Sequence, residues 1–179
     1  MVRFDRDTTR KKFAHEEILE AFRQGKYDIL LGTQMVAKGH DIPNVTAVGI
    51  LSADAALNMP DFRAAERCFA LITQTAGRAG RGKVPGRVLV QCYNPEHYAV
   101  RCAVEQDYQK FYEAEIEFRR ALFFPPFCRL IKLTFLHEKE EIARENAVQV
   151  KEKFMIAFAG AVHRQILGPA PASIAKFNG

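Results

Sequence analysis

Three short apolar runs, interleaved with helical patterns, constrain this chain more than anything else in it. They are "YDILLGT" (residues 27–33), "VTAVGILSAD" (residues 45–54) and "GRVLVQCY" (residues 86–93). Successive apolar residues over four to six positions read as strands buried on both faces, the pattern of a parallel sheet. Between and before them the spacing changes to three and four. Ala14, Ile18, Ala21 and Phe22 mark one helix, with Gly25 where a helix should stop. Phe62, Ala65, Cys68, Phe69 and Ile72 mark another. A short alternating stretch, Val2 to Asp5, adds a strand, and Asp7, Thr8 and Thr9 can cap the helix after it. Strands alternating with helices predict an α/β fold: a parallel sheet with flanking helices. Ligands of such sheets bind at loops leaving the C-terminal ends of strands.

After residue 94 the pattern differs. Asn94 and Pro95 suit an N-cap and first helical position, opening one long helix to about Arg120. "FFPPF" (residues 123–127) ends it, because two prolines cannot continue a helix. "RLIKLTFLH" (residues 129–137) alternates as a strand. A last helix carries Ala143, Ala147, Val150, Phe154, Ala157, Phe158 and Ala161 on one face. This predicts a first domain over 1–95, a connecting helix over 96–123, and the beginning of a second, incomplete α+β domain over 124–179. Tyr108, Phe111 and Tyr112, with Val104, have the spacing of packing residues rather than of a base-stacking platform. The "FFPPF" aromatics read as a seat between parts of the protein.

The 179 residues are 48% apolar and 26% charged, the balance of a globular chain with a core. No stretch is long and apolar enough to span a bilayer, and no leader pattern opens the sequence. A net charge of +5 suits a polyanionic partner such as nucleic acid. Cys68, Cys92, Cys102 and Cys128 stand far apart in apolar surroundings without a C-x-x-C pair, which reads as four reduced thiols.

"QTAGRAGRGKV" (residues 74–84) has two readings. Gly77 to Lys83 nearly spells a P-loop, but that site needs a preceding strand, a Ser or Thr after the lysine, and a helix opening there. Val84 takes the hydroxyl's place, a helical pattern precedes, and a strand follows. The second reading is Gln74, Gly77, Arg78 and Arg81 as an arginine-bearing motif. Permanently charged, fork-shaped guanidinium groups stabilise the charge spread over a transferring phosphoryl group. Arg78 and Arg81, three apart near a helix end, can project the same way. "GTQMVAKGHDIPNV" (residues 32–45) leaves a strand at the ligand-binding edge and gathers Thr33, Gln34, Lys38, Gly39 and Asp41 in one loop. Thr33, Gln34 and Lys38 have the groups that contact nucleic-acid phosphates. Asp41 can orient an arginine or accept a hydrogen bond from a ribose, and His40 reads as an ordinary loop histidine.

Together these stretches, with "DFRAAER" (residues 61–67), resemble motifs V and VI of superfamily 2 helicases. Among those they resemble the PriA family of bacterial replication-restart helicases. "FRRALFFPPF" and "LGPAPASIAK" extend the resemblance over almost the whole chain. It implies the second RecA-like lobe of an ATP-dependent 3′-to-5′ DNA helicase acting in replication restart and primosome assembly, followed by the start of the family's C-terminal domain. ATP and Mg²⁺ would be held mainly by a first lobe. Zinc would belong to a cysteine-rich insertion outside this chain, which itself carries no metal site. Carried over by motif, Arg81 is the finger, with Arg78 the alternative. Gln74, Gly77, Gly39 and Asp41 face the nucleotide, and Thr33, Gln34 and Lys38 touch the DNA backbone. Implied partners are single-stranded and forked DNA, single-stranded-DNA-binding protein and primosome proteins, in a bacterial cytoplasm with no membrane. Two other readings remain: a non-enzymatic nucleic-acid-binding module, and a lobe of a RecG-like or RNA helicase.

Overall fold

A computed structural model describes residues 1–5, 14–33, 45–80, 85–160 and 165–171. Strand β1 (Val2–Phe4) pairs in parallel with β2 (Leu30–Gly32), Val2 opposite Leu30. Helix α1 (Ala14–Arg23) lies between them in the chain. Gly25 ends it as its sequence suggests, with φ +72° and Lys26 donating back to the Ala21 carbonyl at 3.0 Å. Phe4 and Leu19 are buried in a small cluster, with Ile18, Phe22, Leu30 and Val45 packed round them. The expected caps Asp7, Thr8 and Thr9 lie outside the described residues.

A second parallel pair joins β3 (Ala47–Ile50) to β4 (Arg87–Val90), from Ala47 opposite Arg87 to Ile50 opposite Val90. The crossover holds a short helix α2 (Asp54–Leu57) and a longer one, α3 (Ala64–Ala76). Cys68, Phe69 and Ile72 of α3 pack with Ile50 against α4 (Tyr98–Glu105) and α5 (Tyr108–Ala121). The Phe69 and Phe111 rings stack at 4.2 Å between centroids. The mixed α/β class and parallel pairing agree with the sequence. Complete burial of the strands does not. Val48, Ile50, Val88 and Val90 turn toward the helices, whereas Leu51 and Leu89 are 70% and 69% exposed. Successive residues point to opposite faces, and among the described residues nothing covers the second face.

The long helix expected from Asn94 to Arg120 is two helices. His97, rather than Asn94, caps the first: its Nδ1 accepts the Ala99 N–H at 3.1 Å. Gln106 then adopts φ +55°, and the Asp107 carboxylate accepts the Lys110 N–H at 2.9 Å to start the second. An aspartate three residues ahead of a free N–H competes well with continuation of a helix. Of the aromatics expected to pack on α5 only Phe111 is buried, although the Tyr108 ring lies 6.1 Å from that of Phe69. Tyr108, Tyr112 and Val104 are exposed.

Two compact units divide the chain after Cys128. In the first, "FFPPF" seats against α5 and the turn ahead of α3: Phe124 lies 5.8 Å from Phe62, and the Arg120 guanidinium sits 5.1 Å over the Phe127 ring. Arg119 donates to Glu115 at 2.6 Å and Glu66 at 2.7 Å, and Tyr98 donates to the other Glu115 oxygen at 2.6 Å. The second unit, 129–179, contains α6 (Glu140–Ala157). Its Ala143, Ala147 and Val150 are half-buried, while Phe154 and Phe158 are exposed and stack on each other at 5.6 Å. Residues 129–137 form no strand, contrary to their alternation. A strand needs a neighbour for its backbone groups, and among the described residues none pairs with this segment. The four cysteines are free thiols, two buried and two half-buried, and burial pushes Cys68 up to about 11. Among the described residues no helix is long and apolar enough to cross a membrane.

Candidate functional site

The arginine motif is placed by the crossover between β3 and β4. At the C-terminal end of β3, Ala53 donates its N–H to the Gln91 carbonyl at 3.0 Å. The buried Asp54 carboxylate accepts the N–H groups of Tyr93, 2.7 Å, and Asn94, 3.3 Å. This edge is thus fastened by a carboxylate already satisfied by backbone donors. Just ahead of α3, Asp61 accepts from the Arg63 side chain at 3.2 Å and its backbone N–H at 2.9 Å, and pairs with Arg67 at 2.8 Å. Hydrogen bonds from Arg63 lower the Asp61 carboxyl to about 2. "DFRAAER" therefore works here as a helix-starting ion-pair cluster.

Helix α3 then runs back to the opposite edge. Because β3 and β4 are parallel, the helix joining them must return the chain to the end where strands begin. The motif follows at once. Gly77 donates to the Thr73 carbonyl and Arg78 to the Thr75 carbonyl, each at 3.1 Å. Gln74 and Gly77 are exposed and Arg78 is half-buried. Gly80, with φ +78°, donates its N–H to the Val45 carbonyl at 3.1 Å.

Three consequences follow for the sequence-based expectations. The order helix α3, motif, strand β4 is the reverse of a P-loop, in agreement with the rejection of that site. The arginine motif lies at the N-terminal edge of the β3–β4 pair, not at the C-terminal edge where ligand loops were expected. The same-face expectation for Arg78 and Arg81 loses its helical premise, and Arg81 itself lies outside the described residues. The helix ends at Ala76, and the left-handed Gly80 stands between the two, so helical spacing does not set their relative direction.

Thr33 is exposed directly after β2. Gln34, Lys38, Gly39, Asp41 and Arg81 lie outside the described residues. The chain is described again at Val45, which meets Gly80, so the end of the "GTQM" segment and the arginine motif share a backbone hydrogen bond. Sequence reasoning had not singled out Val45, Gly80 or Gly86. The signal available was a pair of glycines bracketing the loop ahead of a strand.

Comparison with known proteins adds a second line. A model of the helicase conserved C-terminal domain matches residues 4–83, from β1 through the arginine motif. The replication restart protein PriA of Bacillus subtilis is 48% identical over 178 residues, 99% of this chain. Nearly the whole chain is similar to one part of PriA. PriA of Treponema pallidum is 43% identical over 179 residues, and PriA of Synechocystis sp. 41% identical over 175 residues. The chain spans 22%, 27% and 21% of the lengths of these three PriA proteins, respectively. The match to PriA continues past residue 83 through the α4–α5 pair and the "FFPPF" seat.

Proposed function

We propose that this chain is the second RecA-like lobe, with adjoining sequence, of an ATP-dependent 3′-to-5′ DNA helicase that restarts replication. The observation that carries this reading is the Gly80–Val45 hydrogen bond, which joins the arginine motif to the end of the segment starting at Thr33. One motif has the chemistry of a nucleotide contact and the other that of a phosphodiester contact. Their backbone junction suits a machine in which fuel and track are coupled. Gln74 and Arg78, followed by Arg81, present amide and guanidinium donors. That donor set fits a polyphosphate and not Mg²⁺, which we assign to the other lobe together with the P-loop lysine. Gly39 and Asp41 are assigned to the nucleotide side, and Thr33, Gln34 and Lys38 to the DNA backbone. Zinc belongs, in this reading, to other parts of the longer protein, as do contacts with primosome proteins and single-stranded-DNA-binding protein in the bacterial cytoplasm.

Two measurements test it. The purified 179-residue chain hydrolyses no ATP, because this lobe supplies stabilising charge and no nucleophile-orienting base; stoichiometric ATPase activity from it refutes the division of labour. In the full-length protein carrying this sequence, Thr33→Val removes one hydrogen bond to a charged phosphate, worth about 1.5–3 kcal/mol. The single-stranded DNA concentration for half-maximal ATPase then rises by about ten- to a hundredfold. Equal half-maximal concentrations for both proteins take Thr33 off the DNA path.

A further inference from the structure

Three backbone segments meet where the arginine motif ends. Gly80 donates to the Val45 carbonyl at 3.1 Å, and Arg87 donates to the Thr46 carbonyl at 2.8 Å, just ahead of the Ala47–Arg87 register. Between these two bonds Gly86 lies against Ala79 and Gly80. A Cβ on Gly86 would fall 2.5 Å from the Ala79 carbonyl carbon and 2.6 Å from its Cβ. A Cβ on Gly80 would fall 2.7 Å from the Gly86 nitrogen. Both are far inside van der Waals contact, and backbone cannot swing aside as a flexible side chain can. The two glycines have different reasons. Gly80 needs its left-handed φ of +78°. Gly86 has no such φ and is required by space alone, for a close backbone approach. Gly49, with nothing within 4 Å of an added Cβ, shows the contrast.

Val45 connects this joint to the other half of the first unit. Its side chain packs on the Phe4–Leu19 cluster of β1, α1 and β2. Strand β2 leads directly to Thr33. We propose that Gly86 is a positioning residue for the arginine motif. Its contact with Gly80, together with the Gly80–Val45 hydrogen bond, couples that motif to the segment beginning at Thr33. The inference rests on the proposed function and adds to it the part that transmits displacement. A shift of Val45 is passed to Gly80 through their hydrogen bond, and so to Arg78 two residues earlier. A methyl group at position 86 forces the backbones apart and misplaces the motif without touching nucleotide or DNA.

The test compares Gly86→Ala, Gly49→Ala and Arg81→Ala in the full-length protein carrying this sequence. Gly49→Ala behaves as the parent. Gly86→Ala keeps KM for ATP and Kd for single-stranded DNA within about twofold but loses up to about a hundredfold in DNA-stimulated kcat, the scale of a 1 Å misplacement. Unchanged kcat in a folded Gly86→Ala protein overturns the proposal, as does a fall in kcat matched by a fall in DNA affinity. If Gly86→Ala does not fold, hydrogen exchange at the Gly80 amide of the parent decides. Single-stranded DNA slows it if the joint transmits, and an unchanged rate overturns the idea. Should Arg81→Ala leave turnover intact, the nucleotide-facing reading fails and this proposal with it. If Arg81→Ala is slow and Gly86→Ala is not, only the coupling fails.

Discussion

Under the proposed function, Arg81→Ala in the full-length protein carrying this sequence lowers ATP turnover about a thousandfold or more and leaves affinity for single-stranded DNA largely intact. The transferring γ-phosphoryl group spreads its charge over three equatorial oxygens, so catalysis is mostly positioning and opposite charge. A guanidinium group brought across a cleft supplies both, with a fork that matches two oxygens. Arg81→Lys keeps the charge and loses the fork, so its turnover lies between parent and alanine variant. The same substitution at Arg78 separates the two candidates. Arg78 is half-buried behind the left-handed Gly80, and Arg81 follows that turn. A larger loss at Arg81 assigns the finger there, and a larger loss at Arg78 moves it three residues closer to the helix end. Steady-state ATPase rates and fluorescence anisotropy with labelled single strands read both quantities. Weakened DNA binding with unimpaired turnover in Arg81→Ala removes the nucleotide-facing role altogether.

What the sequence made legible was local. Apolar runs located β2, β3 and β4, and an α/β sequence pattern correctly implied parallel pairs. Gly25 and the Pro125–Pro126 step ended helices where their backbone chemistry demands. Long-range packing was not legible. Whether Leu89 is covered depends on which element lies over its face, and periodicity carries no such information. The helix break at Gln106–Asp107 was signalled by a capping aspartate, but the apolar spacing of Val104, Tyr108 and Phe111 ran straight across it. At the site, the motif residues were singled out because their chemistry is unusual for a surface. Their edge of the sheet was missed, although the order carries it: a motif that immediately precedes a parallel strand lies where strands begin. The joint made by Gly80, Gly86 and Val45 was not legible, because it consists of backbone atoms.

The same distinction governs the largest stability effect expected in the first unit. Arg119→Leu destabilises the chain by about 3–5 kcal/mol, the cost of stranding one member of a buried ion pair. For a chain of this size that lowers Tm by roughly 10 °C, measurable by circular dichroism. The Arg119 side chain is 13% exposed and that of Glu115 7%, so neither charge is rehydrated by a small movement. Glu66 is 53% exposed and recovers water when Arg119 goes. The cost therefore falls on Glu115, left with the Tyr98 hydroxyl at 2.6 Å and no cation. Burial pulls the Arg119 guanidinium toward losing its proton, but hydrogen bonds to Glu66 and Glu115 outweigh it and raise its pKa. Its carbon also lies 5.1 Å from the centre of the Phe62 ring, so the residue holds the "FFPPF" seat to the start of α3. Adding Glu115→Gln to Arg119→Leu removes the stranded charge and restores part of the lost Tm. A double variant no more stable than Arg119→Leu alone attributes the loss to packing over Phe62 and not to the unpaired carboxylate.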